Sequence, residues 1–166
     1  MPMLAYMKIV GAKSGAIKGG VTQKGREGTI QVVGFSHEIT VPRNAQSGLP
    51  TGQRMHKPLI VTKELDQSTP LLYGVLRNNE NLTSVTINFY TATLKTASGV
   101  SSSVQHYTIK LTDASIAAID ALMAEDSHAQ TTKGDATEKI SFTYQAIEWT
   151  WTDGGISTTD DWLASV

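Results

Sequence analysis

The chain has 166 residues and a mass of 17.9 kDa, with 40% hydrophobic and 17% charged residues, no cysteine and a net charge of −1. One domain of this size buries roughly 70% of its unfolded surface. The composition excludes a disordered chain, a membrane span and the overall basic balance of a nucleic-acid binder. Without cysteine there is no disulfide framework, thiol nucleophile or cysteine-ligated zinc.

The N-terminal MPMLAYMKIVGAKSG has no basic residue ahead of its apolar part, and Lys8 interrupts an apolar run already short for a signal-peptide core. This argues against Sec-type export. GAKSGAIKGG, 11–20, has the glycine content of a phosphate loop but lacks its GK[ST] ending, so it reads as a connection between strands. IQVVGFSHEITV, 30–41, alternates as a strand with Val33, Phe35, Ile39 and Val41 on one parity.

The stretch PRNAQSGLPTGQRMHKP, 42–58, holds three prolines and two glycines, and its charges are Arg43, Arg54 and Lys57 with no acid. A structureless loop of this length is an active-site lid or a contact arm. KPLIVTKEL, 57–65, is the next strand, aligning Leu59, Val61 and Leu65. DQSTPLLYGVLRNNEN then contains a short helix, about 70–78. Ser68 or Thr69 is expected to cap it, Pro70 suits its first turn and Asn78 or Asn79 its end. Leu71, Leu72, Val75 and Leu76 form its apolar stripe, and so short a helix needs a sheet to pack on.

VTINFYT, 85–91, and VQHYTIKL, 104–111, are strands with Val85, Ile87 and Phe89, and Tyr107, Ile109 and Leu111, on their apolar faces. LTDASIAAIDALMAED, 111–126, reads by itself as a helix, through the spacing of Ile116, Ile119, Leu122 and Met123. TASGVSSS, 96–103, and SHAQTTKGDAT, 127–137, read as loops. In KISFTYQAIEWTWT, 139–152, the apolar parity changes from Ile140, Phe142 and Tyr144 to Ile147, Trp149 and Trp151. One inserted residue near Gln145 or Ala146, a β-bulge, accounts for the change. Residues 153–166 form a polar tail.

Charge is distributed unevenly: residues 1–60 sum to +6, 61–111 to +1 and 112–166 to −8. A basic beginning and an acidic end can complement each other within one subunit or between neighbours.

No catalytic constellation emerges. HEITV, 37–41, has Val41 where a zincin needs its second histidine, and His37 and Glu38 point to opposite faces of a strand. His56 and His128 stand in loops without a nearby acid. Asp160 and Asp161, with Glu148 and Asp153, match no calcium-loop spacing and read as solvated charge. Trp149 and Trp151 share a strand face and suit core or subunit packing. No cofactor or metal is expected. A lid therefore has nothing to cover, and an acid-free arm suits an acidic neighbour.

At the arm the sequence resembles the Hcp family, the tube protein of bacterial type VI secretion. TVPRNAQSGLPTGQRMHKPLIVTKELDQSTPLLYGVL carries the resemblance, which extends through AYMKIVGAKSGAIKGGVTQKGREGTIQVVGFSHEI, VTINFYTA, HYTIKLTDA, ISFTYQAIEWTWTDGG and the terminal STTDDW. It implies a single domain over 1–166, mainly β: a β-barrel of two packed sheets with one short flanking α-helix and extended loops, similar to phage tail-tube proteins. It also implies that 113–123 is strand rather than helix.

The implied function is structural, not enzymatic. Hexameric rings stack into a tube that a contractile sheath propels behind a spike protein, with effector proteins in the lumen and no nucleic acid or membrane insertion. Such a protein is cytoplasmic before firing and is then secreted. Arg43, Gln53, Arg54, Met55, His56 and Lys57 are the candidate subunit and ring contacts. The alternatives are a small-molecule-binding β-barrel, an enzyme on a β-sandwich and a phage tail-tube subunit.

Overall fold

A computed structural model of the protein describes residues 4–91, 103–123 and 136–161. The loops expected at 96–103 and 127–137 fall almost wholly outside these residues. In chain order the elements are β1 (Leu4–Gly11), β2 (Gly15–Ile17), β3 (Ile30–Val32), β4 (Gly34–Ser36), β5 (Ile39–Thr40), β6 (Met55–His56), β7 (Leu59–Glu64), α1 (Ser68–Asn78), β8 (Leu82–Thr91), β9 (Val104–Leu122), β10 (Thr137–Trp151) and β11 (Ile156–Asp161).

The main sheet runs β2-β1-β8-β9-β10-β7-β4, all neighbours antiparallel, with β3 added to β1 and β11 to β10. Its two ends are joined by the segment 30–36. Through Ile30–Val32 this segment pairs with β1, through Gly34–Ser36 it pairs with β7, and between them the Val33 amide donates to Thr62. The expected barrel follows, and its interior is filled by the alternate residues of each strand. Met7, Ile9, Ile30, Leu59, Val61, Leu82, Val85, Ile87, Leu111, Ile140, Phe142 and Ile147 are all buried there.

Two alternation readings shift face. In the 30–41 segment the core takes Ile30 and Val32, while Val33 and Phe35 lie exposed, because both parities are apolar and pairing with β1 selects the even one. In β7 the inward row is Leu59, Val61 and then Lys63; Leu65 is exposed beyond the strand's end.

The parity change in β10 is present: Tyr144 and Ile147 are both buried. Its cause is a crease across the sheet rather than a lone bulge. Gln145 stands opposite Asp113, between the pairs Tyr144↔Ala114 and Ala146↔Thr112, and Asp113 has a left-handed φ of 49°. The ladder therefore passes this point in register, and its one-residue slip lies elsewhere, between Ser141 and Phe142. At the crease β10 exchanges partners on its other side, from β7, which pairs with residues 137–142, to β11, which pairs with residues 146–151.

The segment after Leu111 is strand through Leu122, as the family resemblance implies. Ladder pairing to β10 overrides its helical spacing, with Ala114 and Ile116 turned inward.

Helix α1 packs Leu72, Val75 and Leu76 against the core, while Leu71 is exposed. Ser68 and Thr69 lie inside it and do not cap it. Asp66 accepts from the Ser68 amide at 2.9 Å and from its hydroxyl, and Gln67 at the cap position makes no side-chain cap bond. Asn79 closes the helix in left-handed geometry at φ 48°, ψ 44°. Beneath the first turn, the Lys63 ammonium meets Glu138, its cross-strand partner, and Asp66 at 3.2 Å. The glycine-rich turn after β1 holds an anion, but the anion is Glu80. Its carboxylate accepts from the amides of Lys13 and Ser14 at 2.6 Å each and from the Ser14 hydroxyl at 2.7 Å.

Candidate functional site

The arm, 42–58, is not structureless. It is a ribbon whose base is the β5–β6 pair, Ile39↔His56 and Thr40↔Met55, extended by the Arg43↔Pro50 bridge and by the Thr51 amide donating to the Pro42 carbonyl at 2.8 Å. Its tip is built by Asn44. The Asn44 side-chain oxygen accepts from the amides of Gln46 and Ser47 at 2.9 and 3.0 Å, and Gly48 takes a φ of 71° that suits glycine. Arg43 donates to the Gly48 carbonyl at 3.0 Å.

A two-stranded ribbon is marginal in water, so it needs an anchor. The anchor is where β10 exchanges partners. Arg54 grips Asp160 of β11 bidentately, Nε to Oδ2 and Nη2 to Oδ1, both at 2.6 Å, and reaches the Asp161 carbonyl at 3.5 Å. His56 Nε2 also contacts Asp160 Oδ2, at 2.8 Å, and its Nδ1 lies 2.7 Å from the Tyr144 hydroxyl. That hydroxyl is in turn 2.7 Å from His37 Nε2. One chain of hydrogen bonds thus runs Arg54–Asp160–His56–Tyr144–His37, through the arm, β11, β10 and the segment after β4.

Exposure ranks its members. The His56 side chain is 2% exposed, Asp160 21% and Arg54 31%. The hydrogen bond from Arg54 holds the Asp160 carboxyl below its ordinary range against the opposing effect of burial, with His56 assisting. Burial, aided by the Asp160 charge, pushes Tyr144 up to about 12. Burial, and then the nearby His56, lowers His37.

Of the six candidate contact residues, two face inward as the anchor, Arg54 and His56. The other four are turned to solvent. Arg43, Gln53, Met55 and Lys57 are exposed, with Lys57 3.0 Å from Glu38 in a surface pair. Two sequence readings are corrected here. His56 has an acid partner, 104 positions away at Asp160. Asp160 is likewise a bonded member of strand β11, not solvated charge in a polar tail. The unequal distribution of charge gave the one hint of this, because basic start and acidic end meet within the subunit at this point. Trp149 packs on the core edge with its ring centroid 6.4 Å from that of His37, while Trp151 is exposed beside His106. Among the described residues no group of three His, Asp or Glu side chains is placed to hold a metal ion, and no helix is long and apolar enough to cross a membrane.

Residues 6–151 match the family model described as "Type VI secretion system effector, Hcp". The chain is 38% identical to the "Major exported protein" of Pseudomonas aeruginosa over 171 residues, covering 98% of this chain and 96% of that one. Among solved structures it is similar to one titled "Crystal structure of Hcp protein", with a TM-score of 0.86, 33% identity and coverage of 98% and 99%. It is also similar to the secreted protein Hcp3 of Pseudomonas aeruginosa, with a TM-score of 0.75, 34% identity and coverage of 96% and 98%. A variant of Hcp1 from the E. coli EAEC 042 pathovar gives 0.81 at 28% identity over 96% and 98%. The family match over residues 6–151, with a shared fold and 33–38% identity over nearly the whole chain, leaves one conclusion: this protein belongs to the Hcp family of the type VI secretion system.

Proposed function

We propose that the protein is the structural subunit of a type VI secretion tube. It closes into hexameric rings that stack, is propelled from the cytoplasm by the sheath behind the spike, and carries effector proteins in the lumen without catalysing a reaction. The observation that carries this reading is the family match over residues 6–151 together with similarity to Hcp structures over 98% of the chain. The barrel interior supports it over a ligand-binding barrel, because that interior is filled by the chain's own apolar side chains.

The arm supplies the contact surface. Arg54 and His56 hold its base, and Arg43, Gln53, Met55 and Lys57 face a neighbouring subunit or ring. Charge at such a rim sets register and encounter more than affinity, while the half-exposed Met55 supplies apolar area. Native mass spectrometry at low micromolar concentration, followed by negative-stain imaging, is expected to give a six-subunit mass and annular particles. Met55→Glu is expected to weaken assembly while the circular dichroism and melting of the subunit stay unchanged. Unchanged assembly in that variant removes the arm from the interface. A stable monomer at every concentration overturns the tube reading itself.

A further inference from the structure

The hydrogen-bonded chain at the arm's base contains two histidines on either side of one phenol, an arrangement that anchoring by Arg54 and Asp160 alone does not require. The donors and acceptors can be assigned along it. Asp160 is an acceptor, so His56 donates from Nε2 and, when neutral, must accept at Nδ1 from the Tyr144 hydroxyl. The phenol oxygen then accepts from Nε2–H of His37.

If His56 gains a proton, both of its nitrogens donate. The Tyr144 hydroxyl then turns to donate to His37 Nε2, and His37 carries its hydrogen on Nδ1. One extra proton is accommodated with every bond kept, by reversing two of them. A second proton, on His37, makes both rings donate into the same phenol oxygen and places two imidazolium charges about it.

The charged groups around the site decide how many protons it holds. From the arm comes Arg54, with Lys57 and Glu38 paired to each other at the surface beside it, and from β11 comes Asp160. β10 contributes Tyr144 and the uncharged Trp149 ring. Arg54 is matched by Asp160, and Lys57 by Glu38. A first imidazolium, on His56, stands directly against the Asp160 carboxylate, whereas a second, on His37, adds a like charge across one phenol.

We propose that His37, Tyr144 and His56 form a proton-operated latch that keeps the arm docked on its own barrel with at most one extra proton and releases it when a second arrives. The directions of titration agree. His37 is held below its ordinary 6.5 when docked, so the stability it lends the docked arm is complete above that value and is lost as the pH falls below it. Asp160, held low by Arg54, stays charged through this window, and Tyr144 keeps its proton. The latch is a property of one chain and does not depend on the tube reading.

The test follows histidine ring signals by nuclear magnetic resonance from pH 8 to 5, assigned through His→Gln variants, with hydrogen exchange of the 42–58 peptide corrected for intrinsic rates. In the wild type, the His37 ring is expected to titrate in a step below its ordinary 6.5, and the His56 ring signals are expected to respond to that step through the shared Tyr144 hydroxyl. Arm opening should then increase by up to about tenfold per pH unit as the pH falls from 6.5 towards that step, and level off below it. Tyr144→Phe is expected to uncouple the two histidines. His37→Gln, which keeps a side chain able to hydrogen-bond to the phenol, is expected to leave the arm docked at neutral pH and to abolish its acid release. Independent titration of the two rings in the wild type overturns the latch. So does arm exchange that is flat through their midpoints, or acid release unchanged in His37→Gln.

Discussion

Replacing Lys63 by methionine isolates the cost of a charge left unpaired in the barrel wall. Lys63 and Glu138 are a cross-strand pair of β7 and β10, and neither has any exposed surface. The ammonium also donates to the Glu64 carbonyl at 3.0 Å and to Thr69 Oγ1 at 3.2 Å, and it faces Asp66. Methionine preserves most of the stem's packing, so the hydrophobic contribution barely changes. Glu138 keeps only the Thr69 hydroxyl, at 3.0 Å, and its second oxygen is already buried without a partner. Breaking a buried pair on one side typically costs about 3–5 kcal/mol, against a total stability of roughly 5–15 kcal/mol.

Removing both charges is a different perturbation, because no ion is left to desolvate. Lys63→Met with Glu138→Leu is therefore expected to recover at least about 2 kcal/mol of the single variant's loss. Chemical unfolding of wild type, both single variants and the double variant, at one protein concentration, gives the coupling directly. A single-variant cost below about 1 kcal/mol, or a double variant no better than the single, would refute the view of this pair as a mutually dependent buried unit.

Two glycines should respond oppositely to alanine. At Gly74, inside α1, a Cβ meets nothing within 4 Å, so Gly74→Ala is expected to raise stability by about 1 kcal/mol through helix propensity. At Gly19 the same Cβ falls 2.5 Å from the Thr29 carbonyl oxygen and 2.8 Å from the Ile30 Cα. Backbone atoms cannot step aside cheaply, so Gly19→Ala is expected to cost about 1–3 kcal/mol in the same unfolding assay. Glu80, held below its ordinary 4.5 chiefly by the Ser14 hydroxyl and amide, lends stability that is present above that value and lost as the pH falls through its folded pKa. Glu80→Gln should therefore lower the melting temperature at neutral pH and flatten its decline in acid. A wild-type acid limb in that variant would show that the Glu80 charge does not contribute.

Strands whose two faces differ in chemistry were legible from the residues alone. Val85, Ile87 and Phe89, or Ile109 and Leu111, alternate with polar neighbours, so each had a single face that could be buried, and that face is buried. The parity change at Ile147 and the left-handed residue ending α1 are equally local signals and were legible for the same reason.

Tertiary structure decided everything that depended on which distant segment arrives. Val32 rather than Val33 enters the core because β1 pairs that way, and Lys63 occupies a core row because Glu138 lies opposite. Asp66 rather than Ser68 ties down the helix start, and residues 113–122 extend because β10 supplies the ladder. The arm's anchor is the extreme case. His56, Tyr144 and Asp160 are separated by up to 104 positions, and nothing in the immediate neighbours of any one of them indicates the other two. Periodicity reports which side of an element is apolar, whereas a polar network exists only once β10 has changed partners and brought β11 beneath the arm.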